Sequence, residues 1–296
     1  MHKKSKKPKT WADVQKARCH YIAFELASLL HFMDEVQEAN PNTPLLILGN
    51  GHNGAPPVYA LEPFLNERVK EKGWKVSTCP RISSKMADQG DYVPDSKTFN
   101  LDGVLSFMLK ENPIPIIVDN SVFGAYAGAR LGFQNFLHLL NHHMGTGESI
   151  PSARPLPRIA YFDYLSNYWS PKRFPNFQGF KRLVYWSPRD ENNPPGAYPV
   201  VKPSEVKPGD VVFTNVMVSR FGIMAKAGKK DSAAKAVLEA AGECEHRADT
   251  ELSVIYDSAL GGEKRREKVD SNTIIIHPID YTPIHPLIEH YMDLFP

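Results

Sequence analysis

Cysteine is scarce in this chain. Cys19, Cys79 and Cys244 are three in 296 residues, odd in number and widely spaced. They exclude a disulfide framework and a structural zinc site, and they point to a reducing compartment. Long apolar runs are missing too. No stretch reaches the about 18–20 residues that span a bilayer, and the N-terminus carries no apolar segment of the signal-peptide kind. A cytoplasmic protein without a membrane partner is expected. Net charge is almost absent at +2, so no global field selects nucleic acid. The exception is the tail MHKKSKKPK, which reads either as a solvated disordered arm or as a nuclear-targeting or nucleic-acid-contacting one. No internal repeat, no G-x-S-x-G nucleophile elbow and no HExxH zinc motif occur.

What is present is proline and an alternation of strands with helices. Twenty-five prolines against 19 glycines imply many fixed loops. Residues 11–38 carry apolar positions at helical spacing (Val14, Ala17, Ile22, Leu26, Leu29, Leu30, Met33). A strand over Leu45–Leu48, a glycine turn and a helix follow. Pro57 suits that helix's first turn and Gly73 its C-terminal stop. A second strand ends at Ser77-Thr78-Cys79, and residues 80–100 form a long polar loop of the kind that is often functional. Asn100 caps a helix, the strand IPIIV follows, and GARLGFQNFLHLLNHH is an amphipathic helix. RIAYFDYL, FKRLVYWS, VVFTNVMV, TELSVIYDS and NTIIIHPI are strand candidates. DSAAKAVLEAAGECEHR is a helix capped by Asp231.

The pattern predicts an α/β fold, a mainly parallel sheet flanked by helices, with extra C-terminal strands and loops. The organisation expected is a basic disordered tail over 1–10 and a single α/β domain over 11–296. Its motif-bearing core is 44–165 and its C-terminal extension 171–296. Ligands of such sheets bind beyond the carboxyl ends of the strands, and two small-residue turns fall there.

The first turn, Gly49-Asn50-Gly51-His52-Asn53-Gly54, satisfies G-x-G-x-x-G between a strand and a helix. It reads as a phosphate or pyrophosphate cradle, or as a tight turn that needs glycine. A dinucleotide site also wants an acid at the end of the next strand, and Ser77-Thr78-Cys79 has none. The second turn follows IPIIV. Asp119 and Asn120 are placed to bond ribose hydroxyls. Gly124, Ala125, Ala127 and Gly128 let a phosphate approach the backbone, and a helix starting near Ala127 adds its positive end.

Here the chain resembles the type I phosphoribosyltransferases. Ile116, Ile117, Val118 and Asp119 match the family's apolar strand and first acid, Ser121 and Val122 the next two positions, and Ala125 a small one. Asn120 stands where a second acid is usual, and Phe123, Gly124 and Ala127 where small hydroxyl or similar residues are. The resemblance spans roughly residues 44–165. It implies a phosphoribosyltransferase-like fold, in which Gly49–Gly54 binds pyrophosphate, residues 80–100 close over the substrate, and Asn120, Ser121, Gly124, Ala125, Tyr126 and Ala127 form the ribose-phosphate loop. It implies displacement of pyrophosphate from phosphoribosyl pyrophosphate by a base nitrogen, with Mg2+ bridging pyrophosphate and ribose oxygens. Asp119 would hold the ribose, and Arg81 and Lys85 would neutralise the departing pyrophosphate unless they are plain surface charges. The partner implied is a small ribose-phosphate or nucleotide ligand, as in nucleotide metabolism, and a homodimer is one assembly this allows.

Two other classes stay open: a Rossmann-type dehydrogenase or methyltransferase using Gly49–Gly54, and a binding or regulatory protein that kept the fold without turnover. Several residues carry a second meaning. His138 and His142 are four apart and share a helix face, as metal ligands or as helix-end histidines favoured by the dipole. Cys79 with His52 is a nucleophile pair on paper, or Cys79 is an inert thiol. Phe174, Phe177 and Phe180 stack a base or belong to the core. His277 and His285 flank a proline-rich tail, and Asp163 ends a candidate strand.

Overall fold

The computed structural model describes residues 11–82, 101–119, 125–144, 165, 167, 169–186, 199–215, 228, 230–241, 266–268, 274–276 and 280–296. Two segments are apolar enough to be buried on both faces, LLILGN and IPIIVD. They form β1 (Leu45–Asn50) and β3 (Ile114–Asp119), with every residue buried. Continuous apolar strands of this kind belong in the middle of parallel sheets, where each buried aliphatic side chain contributes about 1.5–3 kcal/mol. With β2 (Val76–Ile82), β4 (Arg182–Trp186) and β5 (Asp210–Asn215) they make one five-stranded sheet in the order β2-β1-β3-β5-β4. All four pairings are parallel. The fold is α/β.

α2 (Gly51–Lys72) leads from β1 to β2, and α3 (Leu101–Glu111) leads back across β1 to β3. Opposite directions of travel with right-handed crossovers put the two helices on opposite faces. Packing agrees. Leu46 and Leu48 of β1, Ile117 of β3 and Phe213 of β5 join Val104 and Met108 of α3 in one buried cluster. α4 (Ala125–His143) adds Phe133, Phe136, Leu137 and Leu140 to it. α2 contributes nothing to this cluster and packs on β1, β2 and β3. Its Val58, Leu61, Phe64 and Leu65 are buried, whereas Glu62, Glu67, Lys70 and Glu71 are exposed.

α1 (Trp11–Ala39) ends in a polar clasp. Asn40 Nδ2 donates to the carbonyls of Val36 and Val206 (2.9 and 3.0 Å), and Gln37 Nε2 donates to those of Asn40 and Thr43. Asp34 accepts from Arg68 and Lys72 of α2, each at 3.0 Å. At the far edge, Asp210 accepts from Arg182 Nε and Nη2 (3.0 and 2.6 Å) and from the Lys207 N–H (2.9 Å). That hydrogen bond raises the guanidinium's already high pKa.

The chain divides into two compact units. The sheet, α2–α4 and α1 from Phe32 onward form one. The other holds α1 up to His31, α5 (Ser232–Ala241), the antiparallel pair β6 (Arg266–Lys268) and β7 (Ile274–Ile276), and α6 (His285–Met292). In the second unit Asp231 caps α5, accepting from the Ala234 N–H at 2.9 Å. Tyr291 of α6 is fully buried. Its hydroxyl lies 2.8 Å from His20 Nδ1, and its ring meets Phe24 edge-on. Phe295 stacks on Phe24 and His31.

Several expectations need correction. Gly49-Asn50-Gly51-His52-Asn53-Gly54 is not a separate turn: Gly49 and Asn50 complete β1, and Gly51 opens α2. Gly49 still pairs with Val118, so the ladder carries the strand through the glycine. Pro57 therefore lies beyond the first turn, and α2 contains Pro56, Pro57 and Pro63. Each removes an intrahelical donor. Gly73 ends α2 as expected, with φ 68° and its N–H on the Arg68 carbonyl. β2 runs on to Ile82, so Pro80 and Arg81 are strand rather than loop residues. Among the described residues β2 is an edge strand, where a missing N–H is tolerated. The charged strand β6 was not anticipated. The strand candidates RIAYFDYL, apart from its last residue, and TELSVIYDS lie outside the described residues, as do the tail 1–10, Asn100 and the loop after Ile82.

Candidate functional site at the carboxyl ends of β1 and β3

The chain leaves β1 in one direction to make β2 and returns on the other side to make β3. The carboxyl ends of β1 and β3 are therefore the switch point of the sheet, the place where doubly wound sheets hold their ligands. Parallel register places Gly49 beside Val118, so Asn50 and Asp119 end adjacent strands side by side. Asn50 Nδ2 donates to Asp119 Oδ2 at 2.6 Å, across 69 residues of sequence. Both side chains are buried, at 8 % and 4 % exposure. An amide donor this close to a buried carboxylate is a charge-assisted bond, stronger than a neutral one.

Strand alternation explains why the two side chains meet. Asn50 shares a face with Leu46 and Leu48, and Asp119 shares one with Ile117, and those residues pack in the cluster that α4 covers. α4 comes down on Asn50 at Gly132. A β-carbon there would overlap Asn50 Oδ1 and come within 3.1 Å of Asn50 Cγ. Asn50 Oδ1 has no hydrogen-bond donor among the described residues. On the other face of the sheet α2 makes an equally close approach at Gly54, whose β-carbon would overlap the Val118 carbonyl oxygen and sit 2.9 Å from the Gly49 carbonyl carbon. Thr214 Oγ1 reaches the Ile117 carbonyl (3.2 Å) and ties β5 to β3 just below the switch point. The first turns of α2 and α4, with their unshared N–H groups, follow β1 and β3 at this edge.

The residues singled out from the sequence fall as follows. Asp119 and Asn50 are brought together. Gly51, His52, Asn53 and Gly54 form the first turn of α2, and the side chains of His52 and Asn53 lie outside the description. Asn120, Ser121 and Gly124 lie outside the described residues. Ala125, Tyr126 and Ala127 open α4, with side chains not described. Arg81 is in β2 with its side chain outside the description, and Lys85 lies outside it altogether. Cys79 is fully buried beside Leu48 in the sheet register. Phe177 and Phe180 are core, and Phe174 packs on Trp169. His138 is buried, which lowers its pKa, and the side chains of His142 and His143 are not described. Asp163 and His277 lie outside the described residues.

Sequence reading missed Gly132. It singled out His138 but missed the buried polar row on α4 to which His138 belongs, with Gln134 and Asn141 and with Asn135 beside it. Their spacing of four and three is visible in the sequence, but nothing there says that the face is covered. Comparisons with protein-family models, with curated proteins and with solved structures find no match for this chain. Among the described residues no group of three metal-ligating side chains gathers, and no helix is long and apolar enough to cross a membrane.

Proposed function

We propose that this chain binds a ribose-phosphate ligand at the carboxyl ends of β1 and β3, in the manner of a phosphoribosyltransferase, and transfers the phosphoribosyl group to a nucleobase-like acceptor. The observation that carries the reading is the buried Asn50–Asp119 pair at the point where the strand order reverses. Asp119 is an acceptor with its carboxylate anchored, suited to a sugar hydroxyl and repelled by a phosphate. The phosphate groups belong instead at the backbone N–H groups that open α2 and α4.

In the reaction so inferred, the bond between ribose C1 and the pyrophosphate oxygen breaks and a bond from a base nitrogen to C1 forms. The base proton leaves to solvent and pyrophosphate departs. The chain's part is to orient the ribose through Asp119 and to hold phosphate oxygens on fixed N–H dipoles, which is catalysis by position and charge. Magnesium would add charge neutralisation on the pyrophosphate.

A Rossmann-type site draws support from Gly54, which makes the close helix–strand approach asked of the third glycine in that fingerprint. It is opposed by β2, whose seven residues VSTCPRI contain no acid to hold a ribose.

The deciding experiment is thermal denaturation with phosphoribosyl pyrophosphate and Mg2+, set beside NAD and S-adenosylmethionine. The first should raise Tm and the others should not. Asp119→Asn keeps the Asn50 contact. It should weaken phosphoribosyl pyrophosphate about tenfold to a hundredfold through loss of a charge-assisted bond of about 1.5–3 kcal/mol. A shift with NAD or S-adenosylmethionine alone moves the assignment to the Rossmann class. Binding without pyrophosphate release across a panel of bases makes the chain a binder without turnover.

A further inference from the structure

We infer that Asn50 is a positioning residue for Asp119 rather than a ligand contact, and that it is locked in that role by the missing side chain at Gly132. This rests on the reading of Asp119 as the ribose-facing group. An asparagine amide has a donor end and an acceptor end, and rotation by half a turn exchanges them. Here the exchange is blocked on both sides. In the observed orientation Nδ2 donates to the Asp119 carboxylate. Oδ1 lies against Gly132, whose Cα–H bond points towards it, the arrangement of a weak C–H···O contact. Flipping the amide sets Oδ1 against the carboxylate, acceptor to acceptor, and turns Nδ2 to a glycine Cα that accepts nothing.

The lock depends on one steric fact. A β-carbon at residue 132 would collide with Asn50 Oδ1 and crowd Asn50 Cγ. The next atom it would meet is Ile82 Cδ1 at 3.8 Å, an ordinary contact. Among the described residues, only the Asn50 side chain forbids alanine at this position. α4 thus acts on Asp119 at one remove: Gly132 holds Asn50, and Asn50 holds the Asp119 Oδ2 oxygen and through it the plane of the carboxylate.

Three variants test this, Asn50→Ala, Gly132→Ala and the double variant, read by phosphoribosyl pyrophosphate affinity with Mg2+ and by the carboxyl carbon resonance of Asp119. Each single change should weaken the ligand about tenfold, the loss of one charge-assisted hydrogen bond, and should move the Asp119 resonance. The double variant should be no worse than Asn50→Ala alone, because with the amide gone the new β-carbon has nothing to strike. Non-additivity of this kind identifies residues that act through one another. Asn50→Asp, which keeps the shape and removes the donor, should lose at least as much affinity as Asn50→Ala. A residue that merely fills space would lower Tm and leave the Asp119 resonance in place. Additive losses in the double variant, or an Asp119 resonance unchanged in both singles, overturn the inference. If wild-type protein fails to bind phosphoribosyl pyrophosphate, the functional reading falls, while the Asp119 resonance still tests the lock without ligand.

Discussion

Gly54→Ala sets two effects of opposite sign against each other. Gly54 lies inside the first turns of α2, where alanine is favoured over glycine by about 1 kcal/mol. Helix propensity alone therefore predicts a stabilised protein. The structure predicts the reverse. The added β-carbon would overlap the Val118 carbonyl oxygen and stand 2.9 Å and 3.1 Å from the Gly49 carbonyl carbon and Cα. All of these are backbone atoms, and Gly49 and Val118 are partners on the β1–β3 ladder. None can rotate aside as a side chain would, so either α2 lifts or the two central strands part. Overpacking costs about 1–3 kcal/mol, and immovable neighbours place this case at the upper end. The net is a loss of about 2 kcal/mol, or about 3 °C in Tm for a chain of 296 residues. Urea unfolding and calorimetry measure it. Gly73→Ala is the companion variant. It has open space within 4 Å but φ of 68°, so it should cost about 1 kcal/mol from backbone conformation alone. Gly54→Ala at or above wild-type stability would refute the close approach of α2 to β3, and with it the geometry of the switch point.

Asp210→Ala removes a carboxylate only 2 % exposed together with its bonds to Arg182 and the Lys207 N–H, but the Arg182 side chain, 39 % exposed, can turn to water, so it should cost about 1–2 kcal/mol and lower the urea midpoint. A shift below about 0.5 kcal/mol would mean the pair is an ordinary surface contact. Burial, then the charges of Lys16 and His290, lower the pKa of His20. The unfolded chain therefore takes up this proton more readily. The His20–Tyr291 contribution is complete above the ordinary histidine value of about 6.5 and is lost as pH falls from there through the folded value. After correction for intrinsic exchange, amides of α6 should lose protection at pH 5 relative to pH 7.5. His20→Leu should abolish that difference, and equal protection at both pH values in wild type would rule the mechanism out.

The parts of the fold that could be read from sequence are those where one local signal points one way. LLIL and IPII are too apolar for anything but buried strands, and Gly73 closes a helix because only a left-handed residue fits there. Asp119 was legible as an acid ending such a strand. The errors arose where tertiary pairing overrode a local signal. Gly49 suggests a turn, yet its ladder to Val118 keeps it in β1. Pro80 suggests a break, yet an edge strand does not need its N–H. The partner of Asp119 was hidden for a different reason. Asn50 was noticed as part of a glycine pattern, but nothing in a single sequence pairs two residues 69 apart. Gly132 gave no signal at all, because its reason is the volume of another residue's side chain.

The order in which the sheet is filled differs from the order in which the chain is made. β5 lies between β3 and β4, although β4 comes earlier in the sequence. A chain emerging from the ribosome exposes Arg182–Trp186 before the strand it pairs with exists. Until residues 210–215 arrive, the apolar backbone of Ile114–Asp119 has an open side. Open parallel edges recruit other chains. Fragments that stop short of residue 210 should therefore be sticky rather than merely incomplete. Of the five strands of this sheet, the last to be synthesised is the one that seals its middle, so correct folding of the sheet waits on it.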